Sequence, residues 1–369
     1  MEESGGDALD RTEDKTGTAV QKPGRGGARA RPATIVDVAR TANVSIKTVS
    51  RVLNREPNVS AATRELVQAA ALALHYTPNV SARSLAGARS YLIALLYDNP
   101  SAAYIADLQV GALSECRRGG YHLIVEPFDF SRPDLAESVG DMAAKLRTDG
   151  VILTPPLCDH PGLLDVLDAA GARYIRISPN TEPDRSALVM MDERAAAKEM
   201  TLHLIGLGHR RIGFVKGHPD HGSSYLRLEG FIAAMEEAGL DPNPDLIVEG
   251  RNSFLSGVEA GVALLERQDR PTAIFASNDD MALGVMSVAN RLSIALPQGL
   301  SVAGFDDTPT ARVVWPQLTT VRQPVAEMAA TAAALLINGP TAEENEHRVL
   351  NFEIVVRGST GPGPFMNKA

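Results

Sequence analysis

Ile46, Lys47, Ser50, Arg51 and Asn54 are spaced so that a helix of 3.6 residues per turn presents them on one side. Val49, Val52 and Leu53 fall on the opposite, apolar side. A helix built this way can lie in the major groove of double-stranded DNA. Lys47 and Arg51 can donate to O6 and N7 of guanine, Ser50 can bond a base or a phosphate, and Ile46 can meet a thymine methyl. Four histidines, His203, His209, His218 and His221, invite a metal or acid–base reading. No cysteine or paired-glutamate spacing accompanies them, so no metal is expected. No glycine-rich phosphate motif follows the first strand of the body, which disfavours a nucleotide-dependent enzyme. Neither an enzyme nor a cofactor is expected.

The outward set needs short helices to hold it. Thr34 can cap a first helix whose inner side is Ile35, Val38 and Ala39, with Asp37 in its first turn. Asn43-Val44-Ser45 ends that helix and caps the next, which carries the outward set. Asn58-Val59-Ser60 repeats the device before a third helix with Leu66, Val67, Ala70 and Leu74 inward. Thr77-Pro78 stops the third helix, because proline disfavours helical geometry in the residue before it. A third Asn-Val-Ser starts at Asn79 and opens a helix of barely two turns, Ser81 to Ala86, too short to be stable alone in water.

From Tyr91 the period changes. YLIALLY, YHLIVEP, GVILTPP, RYIRIS, ALVMM, RIGFVKG, TAIFAS and LSVAGFD alternate with helical stretches. Such alternation predicts parallel, doubly wound α/β units. Two units are expected, divided near Gly208-His209. Asp98 and Asn99 follow the first strand, where doubly wound sheets bind ligands.

A chain of 369 residues is long enough for two or three domains. Its 44% apolar and 22% charged residues suit a soluble globular protein. No run approaches the roughly 18 apolar residues of a membrane span, and the acidic N-terminus has no signal-peptide core. Cys116 and Cys158 make no disulfide framework, so a cytoplasmic location is expected. Residues 22–90 hold 11 Lys/Arg against 3 Asp/Glu, and residues 91–369 hold 23 against 36. A basic first domain on an acidic body means that only the first meets a polyanion. Residues 1–31 have almost no large apolar side chains and are expected to be disordered.

ATIVDVARTANVSIKTVSRVLN, VSAATRELVQAAALALHYTPN and ARSLAG resemble the DNA-binding headpiece of the lactose/galactose repressor (LacI/GalR) family. LGHRRIGFV, SSYLRLEGF, IFASNDDMALGVM, SVAGFDDTP and QLTTVRQP continue the resemblance through the body, from about residue 33 to 357. It implies an α-helical helix-turn-helix headpiece, 32–78, a hinge helix and linker, 79–90, and an α/β body, 91–369. The body would be two doubly wound parallel-sheet subdomains like those of a periplasmic sugar-binding protein, about 91–207 plus 323–346 and 208–322 plus 347–360.

The resemblance implies roles for single residues. Ile46, Lys47 and Arg51 would read bases, and Thr34, Ser45, Thr48, Asn54, Ser60 and Thr63 would contact phosphates or cap helices. Asn79 to Gly87 would order as the hinge helix on specific DNA, with Leu85 wedged into a base step from the minor groove and Arg83 beside the backbone. Effector positions fall on Asp192, Arg227, Asn278, Asp306 and Gln323, whose donors and acceptors suit sugar hydroxyls. Tyr104, Phe254 or Trp315 could stack on a sugar, with core packing or a dimer contact as the alternative for each. DNPSAAYIADLQ departs from the family's usual asparagine-proline-phenylalanine-phenylalanine series.

The implied function is a sequence-specific transcriptional regulator, a repressor of carbohydrate-utilisation genes released from its operator by a sugar or sugar derivative. No leucine heptad tail is present, so a homodimer on a pseudo-palindromic operator is expected. A transport binding protein would need a signal peptide and no helix-turn-helix, the reverse of this chain. A purine corepressor would want aromatics on both faces, and only 5% of the residues are aromatic.

Overall fold

The computed structural model describes residues 31, 33–53, 58–76, 89–339 and 346–365. The expected disordered tail, Asn54, and the hinge positions Asn79, Arg83 and Leu85 lie outside the described residues. Two compact units result, one within residues 33–76 and the other within 89–365.

The first unit holds helices α1 (Ile35–Thr41), α2 (Ile46–Leu53) and α3 (Ala61–Ala73). Each begins on the hydroxyl foreseen for it. Thr34 donates its backbone N–H (2.9 Å) and its hydroxyl (2.7 Å) to Asp37. Ser45 Oγ accepts from Thr48 N–H at 3.1 Å, and Ser60 Oγ from Thr63 N–H at 3.2 Å. Asn43 takes φ 51°, a left-handed turn that asparagine tolerates. Val44 and Val59 then pack against a core of Val38, Val49, Val52, Val67 and Ala70. Leu66, expected in that core, is 58% exposed. Val67 and Ala70 carry the inner side of α3, and Leu66 is turned about 100° away from Val67.

The second unit contains two six-stranded sheets. The first runs β11 (His347–Leu350), β5 (Leu188–Met191), β4 (Tyr174–Ile177), β3 (Gly150–Leu153), β1 (Leu92–Tyr97), β2 (His122–Pro127) in spatial order, all parallel. The second runs β12 (Glu353–Val355), β10 (Thr319–Arg322), β9 (Ser301–Asp306), β8 (Ala273–Ala276), β6 (Ile212–Lys216), β7 (Ile247–Glu249), with only β12 antiparallel. The helices are α4 (Ala102–Gly119), α5 (Leu135–Leu146), α6 (Pro161–Ala169), α7 (Glu193–Gly206), α8 (Gly222–Glu237), α9 (Phe254–Leu265), α10 (Asp279–Arg291), α11 (Pro309–Val313) and α12 (Val325–Asn338).

The chain passes between subdomains three times, and two passages differ from the expected limits. α7 does not stay with the sheet whose strand precedes it. Its Ala196, Ala197, Met200 and Leu204 pack with Phe214, Phe231, Phe305 and Val321 of the second subdomain. The first passage is therefore at Met191–Glu193, not near residue 207. The second is at Gln323–Pro324: α12 returns its Met328, Ala329, Ala332 and Leu336 to the core around Ile93 and Leu95. β11 pairs with β5, so the third passage is at Asn351–Phe352 and not at 346–347.

Candidate functional site

α2 presents the predicted side. Ile46 is 48% exposed, Lys47 and Arg51 are exposed and Ser50 is half-buried, while Val49 and Val52 are buried. The hydroxyls of Ser45 and Thr48 bond each other at 2.8 Å, as do those of Ser60 and Thr63. Thr34, Ser45, Thr48, Ser60 and Thr63 thus lie at three helix N-termini, the ends at which the helix dipole favours an anion. The Thr34 hydrogen bonds hold the Asp37 carboxyl below the usual carboxylate range.

A second site lies between the two sheets, beyond the C-terminal ends of their parallel strands. Asn99, Ser101 and Tyr104 come after β1, Pro155 after β3, Ser178 after β4 and Glu193 after β5. From the facing subdomain come His221, Ser223 and Arg227 after β6, Asn252 after β7, Asn278 after β8, Asp306 at the end of β9 and Gln323 after β10. The space among them is about 30 Å³, room for roughly two water molecules. One rim is in contact. A Cβ added to Gly222 at the start of α8 would come within 2.2 Å of the Asn180 Cβ, which follows β4.

Arg227 is the centre of this cleft. It is 8% exposed and donates its Nε to Glu193 Oε2 at 2.8 Å. Its Nη1 donates to the Ser277 carbonyl, and its guanidinium lies 3.7 Å from the centroid of the Phe305 ring. Burial opposes the charge, yet Glu193 and Asp306 hold the Arg227 pKa above its ordinary value. Asp306 accepts from Gln323 Nε2 at 2.5 Å. Burial, reinforced by Asp279 and opposed by Arg227, pushes the Asp306 carboxyl well above the carboxylate range. Burial pushes the Tyr104 hydroxyl up, helped by Glu193 and Asp306. His221 is pushed down to about 3 by burial, with His218 and Arg227 adding to it. Ser101 and Ser178 have buried hydroxyls without a partner among the described residues.

Five of the eight expected effector positions, Tyr104, Arg227, Asn278, Asp306 and Gln323, meet in the cleft. Asn278 is also structural: its Oδ1 accepts from Met281 N–H at 2.9 Å and its Nδ2 donates to the Asn252 carbonyl at 3.0 Å. The other three lie elsewhere. Asp98 accepts from Phe130 N–H at 2.8 Å, and its neighbour Asn99 reaches the cleft instead. Asp192 is exposed and caps α7 by accepting from Ala195 N–H at 2.8 Å, which leaves the next residue, Glu193, to face inward. Phe254 is 49% exposed and lines an apolar groove with Leu283, Met286, Val314 and Trp315. Ser101, Pro155, Ser178, Glu193, His221, Ser223 and Asn252 were not foreseen.

The family model for bacterial regulatory proteins of the lacI family matches residues 34–79, and that for a periplasmic binding protein-like domain matches residues 201–360. The HTH-type transcriptional regulator DegA of Bacillus subtilis (strain 168) is 34% identical over 335 residues, 89% of this chain and 98% of DegA. The chain belongs to the LacI family. The HTH-type transcriptional repressor PurR of Salmonella paratyphi B is 33% identical over 339 residues, 90% of this chain and 98% of that one. The solved Lac repressor dimer bound to operator and the anti-inducer ONPF superposes with a TM-score of 0.73 at 28% identity, covering 90% of this chain and all of that one. The complex of the regulator CelR with cellobiose gives 0.68 at 30% identity, covering 89% and 99%. As a LacI-family member the chain is a DNA-binding transcriptional regulator and not an enzyme. Among the described residues no helix is long and apolar enough to cross a membrane.

Proposed function

We propose that this regulator is a cytoplasmic repressor of carbohydrate-utilisation genes, released from its operator by a sugar or sugar derivative bound between the two subdomains. The observation that carries the reading is the cleft itself. Its lining is rich in amide and hydroxyl groups that can donate or accept, as a polyol requires, and among the described residues Tyr104 is the single phenyl or phenol ring in it. A purine would want aromatic faces on both sides. The likeness to a cellobiose complex supports the same choice.

On the DNA side, α2 lies in the major groove, with Lys47 and Arg51 reading guanine and Ile46 meeting a thymine methyl. The helix starts at Thr34, Ser45 and Ser60 face phosphates. The partner is a second copy. The apolar groove of Phe254 (49%), Leu283, Met286, Val314 and Trp315 (89%) suits burial against its own copy across a two-fold axis. Two α2 helices then read a pseudo-palindrome. The likeness to the Lac repressor dimer on its operator supports both partners. Room for about two waters is too little for a sugar, so the subdomains must part to admit one. The effector shifts the DNA-binding equilibrium by binding the open and closed forms unequally.

The test selects an operator from random DNA, then titrates mono- and disaccharides into the complex and follows fluorescence anisotropy. A sugar should release the wild type. Arg227→Ala should bind operator normally and ignore that sugar; release that survives would place the effector elsewhere. Arg51→Ala should lose ~1–3 kcal/mol on operator and little on random DNA; equal loss on both would make Arg51 a phosphate contact.

A further inference from the structure

The charges that line the cleft say more about the effector than that it has hydroxyls. We infer that the effector is uncharged, and that Glu193 is the residue that excludes acidic and phosphorylated sugars. The inference deepens the sugar reading and rests on it.

Among the described residues, Arg227 is the single lysine or arginine lining the cleft. A lone arginine facing a ligand would suit a phosphate or a carboxylate, but this one is already engaged. Glu193 Oε2 takes its Nε at 2.8 Å, the Ser277 carbonyl takes its Nη1, and Phe305 covers one face. Glu193 is itself 3% exposed, so the two charges cancel away from water. An incoming anion would meet a guanidinium whose charge Glu193 already neutralises, and would stand against that buried carboxylate.

The rest of the lining is neutral and two-sided. Burial favours the protonated Asp306, which can then donate as well as accept. His221 is held neutral by the same cause. Ser101 and Ser178 keep buried hydroxyls with no partner among the described residues. Such groups complement hydroxyls on a ligand and compensate no net charge. Asp192 cannot take over the discriminating role, because it is exposed and caps α7.

The sequence holds the same contrast. Asp192-Glu193 places two acids side by side, and the helix start at Glu193 turns the first outward and the second inward. Removing the inward charge alone should turn Arg227 into an anion site.

The test follows the melting midpoint of the full chain at fixed ionic strength. The probes are inorganic phosphate, glucose, galactose and cellobiose, glucose-6-phosphate, glucuronate, glucosamine and hypoxanthine. Wild type should not respond to phosphate, glucose-6-phosphate, glucuronate or glucosamine. Glu193→Gln should gain a shift of several degrees with millimolar phosphate or glucose-6-phosphate. The double variant Glu193→Gln, Arg227→Gln should lose that gain. A wild-type response to any charged probe that Arg227→Gln abolishes overturns the inference, as does a Glu193→Gln protein indifferent to phosphate. Should Glu193→Gln fail to fold, wild type and Glu193→Asp carry the test, since neither should take phosphate. A response to hypoxanthine and to no saccharide would retire the sugar reading while the charge rule stands.

Discussion

Three aspartates near the cleft floor meet burial in different ways. Asp307 accepts from Arg322 Nε at 2.7 Å, Arg312 Nη2 at 3.0 Å and Arg357 Nη2. Burial alone would raise its pKa, but these guanidiniums hold it below the carboxylate range. They also fix a backbone in which Asp306 (φ 119°) and Asp307 (φ 58°) are both left-handed, an arrangement that costs roughly 1–3 kcal/mol per residue and needs such support. Asp279 has no cation within ion-pair distance among the described residues. It accepts from Thr308 N–H at 2.7 Å and the Thr320 hydroxyl at 2.6 Å, and burial, with Asp307 adding to it, raises it to about 7. Its folded pKa lies above its unfolded value, so its contribution is fully present below about pH 4 and is lost as pH rises through 7. Asparagine can donate to Thr320 and accept from Thr308 without ionising. Asp279→Asn should therefore gain on wild type by about 1–4 kcal/mol between pH 4 and pH 8, read from urea unfolding at each pH. A difference independent of pH would mean that Asp279 is ionised throughout. The sequence showed the chemistry of such residues better than their direction. Arg227, Asn278, Asp306 and Gln323 were legible because they stand in recognisable motifs, whereas Tyr104 stood out only as a ring that could stack. Asp192 and Glu193 are both acids in one motif, and only the helix start decides which faces the cleft. Ser101, Ser178 and Asn252 sit in loops with no pattern to set them apart.

At the scale of elements, close helix packing fixes where glycine is required. A Cβ on Gly111 of α4 would sit 1.8 Å from the Ala326 carbonyl oxygen of α12. Backbone cannot give way as a side chain can, so the two helices would have to separate. Gly111→Ala should cost about 1–3 kcal/mol in urea unfolding. Gly206 at the end of α7 meets nothing within 4 Å of its added Cβ. Gly206→Ala should be neutral or stabilising by up to ~1 kcal/mol; equal effects at the two sites would sink the packing argument. Strand–helix alternation made most of these elements legible. β7, Ile247–Glu249, is three residues long and too short to show a period. Passages between subdomains were harder to place. The apolar side of α7 would suit either sheet, and nothing in ERAAAKEMTLHLIG says that it packs on the strands after it. The same holds for β11, whose four residues pair with a strand distant in sequence.

For the whole molecule, charge and apolar surface divide the labour. The excess of Lys/Arg within residues 22–90 and of Asp/Glu beyond them restricts attraction for DNA to the first part of the chain. Trp315→Asp should turn the dimer into a monomer in sedimentation velocity and weaken operator binding at least tenfold, while sugar affinity stays within a factor of about two, because Trp315 lies outside the cleft. A dimer that survives the change would move the partner face elsewhere. The order in which the chain threads its subdomains also matters during synthesis. The second subdomain takes most of its elements from residues 193–323, and lacks only β12 and the segment through Gly363 once they have emerged. The first still lacks α12 and β11, which come from residues 325–350. Its core around Ile93 and Leu95 stays open until Met328, Ala329 and Leu336 arrive. On the ribosome, the core of the half translated first stays open while most of the other half is already out.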